Sequence, residues 1–383
     1  MDEYLWPGKS NQNNENVIKD RFDISVVLPC LNEERTLKEC ILEIRRVSLE
    51  SALKVEIIIS DNGSTDQSVE IATEYSDVVV LVKNKGYGAA LDGGIRVAKS
   101  DFVLVADSDL SYDFTELPNF LKKLKKEKND LVIGNRFTGT IMPGAMPWHH
   151  KYIGNPVLSF IGRVMFTSAI SDFHCGIRAF RKSSYLKCNI VSLGMEFASE
   201  MIIQFAVRDM KISEIPVKLS KDGRDRKPHL RSFRDGFRHL KLMLSLAPQF
   251  TLLLPGLCIA LISFILLIIS YINEKELIAS NLTNVYLCAI AILGSSIFGL
   301  GAISIALRKI EGAGRFKWLP VSYSRIRAYV AVSVPLFAMA LGQAMFSIQT
   351  SAALKLLGLS VSISGLNLLI SSLIVRQILS KHW

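Results

Sequence analysis

The stretch VADSDLSYDF, residues 105–114, takes the chain from an apolar strand into a group of carboxylates. Alternate side chains of a strand point to the same side, so Asp107 and Asp109 are expected to aim at one point beyond the strand's end. Two unpaired carboxylates would repel each other and raise each other's pKa. A hard cation with oxygen ligands, Mg²⁺ or Mn²⁺, would relieve that repulsion. The alternative is that one aspartate caps the following helix and the other is solvated.

Apolar strands alternate with helical stretches on both sides of this segment. The predicted strands are residues 23–29, 55–60, 77–82, 101–107 and 130–137. Their alternation with helices predicts an α/β domain with a mainly parallel sheet covered on both faces. Ligands of such sheets bind beyond the carboxyl ends of the strands. The polar turns expected to meet in that crevice are Pro29 to Glu33, Asp61 to Asp66, Asn84 to Gly88, Asp107 to Asp109, and Gly134 to Arg136.

The second half of the chain is dominated by long uncharged apolar runs. They cover about residues 250–272, 284–307, 328–349 and 354–375, each close to the roughly 20 residues that cross a bilayer. The pattern predicts an α-helical membrane domain, residues 249–383, with four transmembrane helices. Residues 232–248 carry apolar side chains at helical spacing between basic ones, which predicts an interfacial amphipathic helix.

Basic residues flank the predicted spans unevenly. Residues 224–241 and 308–328 are rich in Lys and Arg, whereas residues 273–283 contain one Lys and two Glu. The positive-inside rule then predicts an integral protein of the cytoplasmic membrane, with the catalytic domain (residues 21–231) and both termini in the cytoplasm. Residues 1–20 are polar and are predicted to be a disordered lead-in. The net charge is +10, and the basic residues are concentrated next to the predicted spans. This distribution favours anionic lipid and a phosphorylated substrate over nucleic acid as the binding partners.

Several sequence blocks of the first half, taken in order, resemble family 2 glycosyltransferases. These blocks are VVLPCLNEE, SDNGSTD, NKGYGAAL and ADSDL, and the later DFHCGIRAF and GMEFASEMI are similar to dolichyl-phosphate mannose synthases and bacterial polyprenyl-phosphate glycosyltransferases. The resemblance covers about residues 23–245. It implies a GT-A (Rossmann-like) nucleotide-sugar domain that uses Mg²⁺ or Mn²⁺. It also implies an inverting transfer of a hexose from a UDP- or GDP-sugar to a polyprenyl monophosphate, undecaprenyl or dolichyl phosphate.

The same resemblance implies roles for individual residues. Asp107, Asp109 and Arg136 would be catalytic, and Asp107 and Asp109 would hold the metal. Ser111 would be a weaker metal ligand, because it stands where mannose synthases often have Gln. The residues implied to bind the nucleotide-sugar are Pro29, Glu33, Asp61, Lys85, Gly86 and Asp107. The candidates to hold the acceptor phosphate, where Arg offers a bidentate fork, are Arg136, Lys151, Arg178, Arg224 and Arg226.

Other polar residues of the first half allow two interpretations each. Glu196 and Glu200 lie one helical turn apart, so they form a buried hydrogen-bonding pair or Glu196 touches the sugar. Asp172 shapes the acceptor pocket or caps a helix. The adjacent His149 and His150 point in different directions and make a poor metal pair, which favours packing or a role in a substrate loop.

Other classes of protein compete with a lipid-phosphate glycosyltransferase. A processive polysaccharide synthase shares the fold and has spans, but its usual Gln-x-x-Arg-Trp stretch is absent from this sequence. A nucleotidyltransferase would not need the lipid-facing half, and a non-enzymatic membrane protein would not need a carboxylate crevice. The sequence leaves the sugar, the donor's base, the prenyl chain length and homo-oligomer formation open.

Overall fold

The computed structural model describes residues 22–166, 170–223, 232–272, 281–310 and 352–380, together with positions 335 and 338. The chain divides into two compact units, Met1–Met243 and Leu244–Trp383. The predicted lead-in, residues 1–20, lies outside the described residues. So does the third predicted span, residues 328–349, apart from those two positions.

A seven-stranded mixed sheet forms the centre of the first unit. Its strands are β1 (Ile24–Cys30), β2 (Val55–Asp61), β3 (Val78–Leu81), β4 (Phe102–Val105), β5 (Leu131–Ile141), β6 (Arg178–Arg181) and β7 (Ile212–Leu219). Their order across the sheet is β3-β2-β1-β4-β6-β5-β7. β6 runs antiparallel to β4 and β5, and the other neighbouring pairs are parallel. The five strands predicted from the sequence are therefore β1 to β5, and β6 makes the sheet mixed.

Helices connect the strands and follow them. In the first unit they are α1 (Leu37–Glu50), α2 (Ser68–Tyr75), α3 (Tyr87–Val97), α4 (Leu117–Lys125), α5 (Asn155–Met165), α6 (Lys182–Lys187), α7 (Phe197–Val207) and α8 (Ser232–Ser245). A π-helical turn, His150–Gly154, leads into α5. The predicted amphipathic helix is α8, which ends three residues before the predicted boundary at residue 248.

The central strands are almost wholly buried because both faces of the sheet are covered. Every residue of β2 is buried, and in β1 only Pro29 is partly exposed. The apolar runs at their centres, residues 26–28 and 57–59, are typical of parallel strands between two helical layers. α3 packs closely on this sheet, since a Cβ atom added at Gly94 would lie 2.4 Å from Cγ1 of Val27.

Register aligns the ends of the parallel strands. β1 pairs with β2 from Ile24↔Val55 to Cys30↔Asp61, and β1 pairs with β4 up to Val27↔Val105. The chain therefore leaves β1, β2 and β4 at the same edge of the sheet, which is where polar turns follow each strand.

The described part of the second unit consists mainly of apolar helices. They are α9 (Leu254–Ile272), α10 (Asn281–Ile310) and α11 (Ala352–Ser380), and α9 is preceded by a π-helical turn, Gln249–Leu253. Two segments, Gln249–Ser270 and Thr283–Ile305, are long and apolar enough to cross a membrane, with mean hydropathies of 3.0 and 2.1. They correspond to the first two predicted spans. The apolar stretch of α11, Gly358–Ser371, is shorter than a span requires, so four spans are not found in the described residues.

Small residues bring α9 and α10 together within the second unit. A Cβ atom added at Gly256 would lie 2.4 Å from the backbone nitrogen of Phe298, and one added at Gly294 would lie 2.6 Å from that of Ala260. Close backbone approach at small residues is typical of helix pairs in membranes. Because lipid tails are as apolar as the helix surfaces, the association of such helices depends on close packing.

Candidate functional site

A cavity of about 440 Å³ lies beyond the carboxyl ends of β1, β2 and β4, and we call it the strand-end cavity. Its lining residues come from the end of β1, from the turns after β1, β2, β3 and β4, from α3, from the loop before α7 and from α8. They are Pro29, Cys30, Leu31, Glu33, Asn62, Lys85, Gly86, Tyr87, Ala90, Asp107, Ser108, Gly194, Met195, Arg234, Asp235 and Arg238. Of the residues predicted to bind the nucleotide-sugar, Pro29, Glu33, Lys85, Gly86 and Asp107 line it.

Asn62 fixes the loop that follows β3 against the turn that follows β2. Its Nδ2 donates to the carbonyl of Asn84 at 2.7 Å, and its Oδ1 accepts from the backbone N–H of Gly86 at 2.7 Å. The Asn62 carbonyl in turn accepts from Nζ of Lys85 at 2.7 Å. One buried side chain thereby positions two predicted donor-binding residues, Lys85 and Gly86. Sequence reasoning did not single out Asn62.

Asp61 shapes the turn that presents Asn62. Its carboxylate accepts from the backbone N–H groups of Gly63 (2.8 Å) and Ser64 (3.1 Å) and from Oγ of Ser64 (2.5 Å). Asp61 is buried and is not among the residues that line the strand-end cavity. Its carboxylate oxygens accept hydrogen bonds within the turn, and the contact between Asp61 and the nucleoside stays a prediction.

Hydrogen bonds also tie the turn after β1 to the turn after β4. Oγ of Ser108 donates to the carbonyl of Pro29 at 2.7 Å, and Oγ1 of Thr36 donates to the carbonyl of Ser108 at 2.7 Å. The same Thr36 hydroxyl lies 3.3 Å from Oε2 of Glu33. These hydrogen bonds therefore hold Glu33 in a fixed position relative to the turn that carries Asp107 and Asp109.

The two aspartates of the opening stretch lie in a turn and not in a strand. β4 ends at Val105, and Leu110 adopts a left-handed φ of 64°. The expectation that strand alternation aims Asp107 and Asp109 at one point is therefore wrong, because both residues follow the end of β4. Oδ1 of Asp107 accepts from the hydroxyl of Tyr87 at 3.0 Å, while Oδ1 of Asp109 accepts from the backbone N–H (3.1 Å) and Oγ (2.5 Å) of Ser111.

The helical turn after this stretch is capped by a third aspartate. Oδ1 of Asp113 accepts from the backbone N–H of Thr115 at 2.9 Å. Asp107 and Asp109 are thus not used as helix caps, which removes the alternative interpretation of the pair. The pKa of Tyr87 is raised by burial and by the charge of Asp107, so its phenol stays protonated and donates to Asp107.

The donor atoms in this turn suit a hard divalent cation. Asp107, Asp109 and Ser111 offer carboxylate and hydroxyl oxygens, the ligand type that Mg²⁺ and Mn²⁺ prefer. Among the described residues, no group of three or more His, Cys, Asp or Glu side chains could hold a metal ion. Mg²⁺ commonly takes one or two protein carboxylates and completes its shell with substrate phosphates and water. The residues fit a metal shared with a diphosphate, and they do not form a complete protein cage.

Arg136 is held by a buried carboxylate. Its Nε and Nη2 donate to the two oxygens of Asp172 at 2.7 and 2.8 Å, and its side chain is only 9% exposed. Burial is the largest single effect and lowers the pKa of Arg136, but the charge and hydrogen bonds of Asp172, together with the neighbouring Tyr112 and Cys175, leave the pKa raised. Asp172 therefore pairs with arginine and does not cap a helix. Arg136 does not line the strand-end cavity.

Glu214 on β7 braces the loop that carries Asp172. Its Oε1 accepts from the backbone N–H groups of Ser171 (2.7 Å) and Asp172 (2.9 Å), and its Oε2 accepts from Nδ2 of Asn135 at 2.9 Å. This network satisfies the polar groups around the Arg136–Asp172 pair, as burial of charge requires.

Arg178 is also buried. Its guanidinium donates to the carbonyls of Ala198 (2.6 Å) and Cys175 (2.5 Å), and the residue is 2% exposed. Arg178 is therefore enclosed in the fold and does not line the strand-end cavity, and its contact with an acceptor phosphate stays a prediction. Lys151 lies in the π-helical turn before α5 and sits 5.4 Å from the ring of Tyr152. Arg224 and Arg226 lie outside the described residues.

Glu196 and Glu200 do not pair with each other. Oε2 of Glu200 accepts from the backbone N–H groups of Val191 (3.2 Å) and Ser192 (2.7 Å), which braces the loop before α7. Oε2 of Glu196 is buried and has no hydrogen-bond partner within the described part of the chain. The hypothesis that Glu196 touches the sugar stays a prediction.

α8 brings two arginines to the strand-end cavity that sequence reasoning missed. Arg234 and Arg238 line it together with the buried Asp235, which lies between them in the sequence. The arginine side chains are 51% and 50% exposed and approach Oδ1 of Asp235 at 3.4 and 3.9 Å. Their spacing of four residues places both on one helix face. The spacing of four residues could have indicated a pair of arginines on one helix face, but the basic charge of residues 224–241 was interpreted as contact with the membrane.

Comparison with known proteins identifies the first unit. Residues 25–188 match the family described as Glycosyl transferase family 2. The chain belongs to glycosyl transferase family 2. Its first unit is a GT-A, Rossmann-like α/β domain with a mixed sheet.

Two relatives and one solved structure each align with part of the chain. It is 35% identical over 248 residues to the low-salt glycan biosynthesis hexosyltransferase Agl6 of Haloferax volcanii, covering 65% of this chain and 59% of that protein. It is 30% identical over 216 residues to an uncharacterized protein of Methanocaldococcus jannaschii, covering 55% of this chain and 86% of that protein. Glucosyl-3-phosphoglycerate synthase of Mycobacterium tuberculosis, solved with Mn²⁺ and UDP, aligns with a TM-score of 0.47 at 21% identity, covering 59% and 80% of the two chains.

The hydrogen bond from Tyr87 to Asp107 predicts a selective loss of activity. Tyr87→Phe is expected to lower kcat/KM for release of nucleoside diphosphate about tenfold, because a hydrogen bond to a charged group contributes about 1.5 kcal/mol or more. Tyr185→Phe is the matched control, since it removes a hydroxyl that donates to Asp92 at 2.7 Å and does not line the cavity. Equal losses in the two variants would contradict a specific role for Tyr87.

The buried pair predicts a loss of stability that a surface pair does not share. Arg136→Ala should destabilise the protein by about 3–5 kcal/mol, because it leaves Asp172 buried without a counter-charge. Arg45→Ala breaks the exposed 2.7 Å pair with Asp77 and should cost less than about 1 kcal/mol. Thermal unfolding of the purified full-length variants compares the two. Unchanged stability of Arg136→Ala would show that Asp172 finds another partner.

Proposed function

We propose that the protein transfers a hexose from a nucleotide-sugar to the phosphate of a polyprenyl monophosphate. The observation that carries this proposal is the composition of the strand-end cavity, where Asp107 faces the same space as Arg234 and Arg238. A carboxylate with a metal suits the donor's diphosphate, and arginines suit an acceptor phosphate. The name of the relative Agl6, a glycan biosynthesis hexosyltransferase, supports a hexose as the transferred group.

The donor half of the reaction rests on the turns after β1, β2 and β3. The cavity volume of about 440 Å³ falls within the range of about 300–1,000 Å³ usual for small-ligand sites. Lys85, held by the Asn62 carbonyl, places a positive charge at the cavity wall. Glu33 and Asn62 supply polar groups for the nucleoside. UDP and GDP both remain candidates for the donor nucleotide.

Asp107 and Asp109, with Ser111 beside them, would hold Mg²⁺ or Mn²⁺. When bound there, the ion supplies positive charge to the leaving nucleoside diphosphate. Tyr87 orients the Asp107 carboxylate through its hydroxyl, and Ser111 orients Asp109. Preorganised carboxylates of this kind need no rearrangement when the donor arrives.

The acceptor phosphate needs positioning more than activation. Its second pKa is about 6, so at neutral pH the phosphate is already an anionic nucleophile. One of its oxygens attacks C1 of the sugar, the bond from C1 to the donor's diphosphate breaks, and the electron pair leaves with the nucleoside diphosphate. No proton has to be removed. Arg234 and Arg238, half-exposed on α8, would hold the phosphate in line with that bond.

The apolar second unit supports a lipid acceptor. Gln249–Ser270 and Thr283–Ile305 would embed the protein in the cytoplasmic membrane, with the catalytic domain on the side where basic residues are concentrated. α8 exposes Phe237, which is 67% exposed, next to the basic residues of the same helix. An apolar and basic helix surface of this kind suits the headgroup region of a membrane.

Transfer to lipid is tested with purified full-length protein in detergent. A panel of labelled UDP- and GDP-hexoses is incubated with undecaprenyl, dolichyl or farnesyl phosphate and Mn²⁺ or Mg²⁺. The expected product carries label into the organic phase and releases the sugar in mild acid. Label that stays in the aqueous phase, or that grows into a polymer, would refute the lipid-phosphate acceptor and favour a polysaccharide synthase.

The metal proposal is tested at Asp109. Asp109→Asn should lower transfer by about a hundredfold or more and weaken Mn²⁺-dependent binding of nucleoside diphosphate, since a charged ligand is lost. Asp113→Asn is the matched control, because Asp113 caps the next helical turn and asparagine caps equally well. Transfer and calorimetric binding are measured for both. Near wild-type values for Asp109→Asn would show that Asp109 is not a metal ligand.

A further inference from the structure

A second cavity, of about 530 Å³, shares wall residues with the strand-end cavity. Met195 and Asp235 line both cavities. The four histidines within the described part of the chain, His149, His150, His174 and His239, all line this second cavity. We call it the histidine cavity. Its histidines come from three separate segments, so the fold and not the local sequence gathers them.

The walls of the histidine cavity are apolar and uncharged apart from Asp235. Trp148, Ile153 and Leu158 contribute apolar side chains, and no Lys or Arg is among the described lining residues. Burial lowers the pKa of His174 and of His239, which keeps both imidazoles neutral at neutral pH. A phosphate dianion lying wholly inside these walls would find no counter-charge, whereas burial of a hydrocarbon chain there is favourable.

One polar atom in these walls is left for a ligand. Nε2 of His174 is buried and has no hydrogen-bond partner among the described residues. The ring of His174 is fixed edge-on against that of His239 with centroids 4.7 Å apart, and Nδ1 of His239 is 2.8 Å from Oγ of Ser199. The described histidines do not form a metal site. A fixed imidazole with an unused buried nitrogen is a directional hydrogen-bonding group.

We propose that the histidine cavity holds the first isoprenoid units of the acceptor, and that Nε2 of His174 hydrogen-bonds an oxygen of the acceptor's phosphate. This inference rests on the proposed function and adds the site and the positioning residue for the acceptor. The phosphate lies where the cavities meet, near Met195 and Asp235. Arg234 and Arg238 face it from the strand-end cavity, and the chain extends into the apolar cavity.

The role of His174 is tested by separating KM from kcat. His174→Phe should raise KM for farnesyl phosphate about tenfold, the size of one hydrogen bond, and leave KM for the nucleotide-sugar unchanged. His174→Gln places an amide nitrogen near the position of Nε2 and should recover part of the loss. A purely structural role would instead change both KM values or the stability of the fold, with no recovery in His174→Gln.

The position of the chain is tested by filling the cavity. Leu158→Trp adds bulk to a lining residue, whereas Phe160→Trp changes an exposed residue two positions along the same helix. Leu158→Trp should raise KM for farnesyl phosphate at least about tenfold, while Phe160→Trp should stay within about twofold of wild type. Calorimetric binding of nucleoside diphosphate shows whether each variant is folded.

A measurement on the wild-type protein does not depend on any variant. Diethyl pyrocarbonate modification of His149 and His150, followed by mass spectrometry, should be slowed by farnesyl phosphate and not by inorganic phosphate. Equal protection by inorganic phosphate would overturn the assignment of the cavity to the chain, and absence of protection by farnesyl phosphate would do the same.

The outcomes separate this inference from the proposed function. If the wild-type protein forms no lipid product from any donor, the proposed function fails and this inference fails with it. If the wild-type protein forms the product but His174→Phe and Leu158→Trp keep the wild-type KM for farnesyl phosphate, only the assignment of the histidine cavity is overturned.

Discussion

The parallel register of β1 with β2 and β4 determines where the polar turns that follow these three strands lie. Because Cys30 pairs with Asp61 and Val27 pairs with Val105, the three strands end at one edge of the sheet. A slip of one residue would turn each side chain to the opposite face. Asn62 follows directly after β2, so the register also fixes the side chain that positions the loop at Gly86. The positions of the turns that line the strand-end cavity therefore follow from strand pairing and from the buried side-chain amide of Asn62.

The other side of the site depends on buried polar pairs instead of strand ends. Arg136 and Asp172 are both charged and enclosed, which is costly unless every remaining hydrogen-bonding group is satisfied. Glu214 meets that condition by binding the backbone of the loop that carries Asp172. The same loop continues to His174, so a network with no direct contact to the strand-end cavity sets the orientation of a residue in the histidine cavity. The loop at residues 171–174 is thus held by a buried ion pair and the hydrogen bonds of Glu214.

Much of the donor side could be predicted from the sequence, because apolar runs followed by polar turns are local patterns. The acceptor side could not, since its contacts join distant segments. β6 is four residues long and contains Arg178 and Arg181, so no apolar pattern marks it as a strand. Arg181 is accommodated by the carbonyls of Asn129 and Leu124 at 3.1 and 2.6 Å. Whether an arginine binds phosphate or the protein's own backbone depends on such partners, which sequence spacing does not show.

The two cavities differ in charge in a way that matches the two ends of a lipid-phosphate acceptor. The strand-end cavity carries the carboxylate of Asp107 and the cations Lys85, Arg234 and Arg238, whereas the histidine cavity, apart from Asp235, offers imidazole rings and apolar side chains. Placing low-polarity walls beside charged groups excludes water from them and strengthens their interaction with a phosphate. A charged acceptor with a hydrocarbon chain would therefore bind best across the junction, and a short hydrophilic phosphate would gain only half of these contacts.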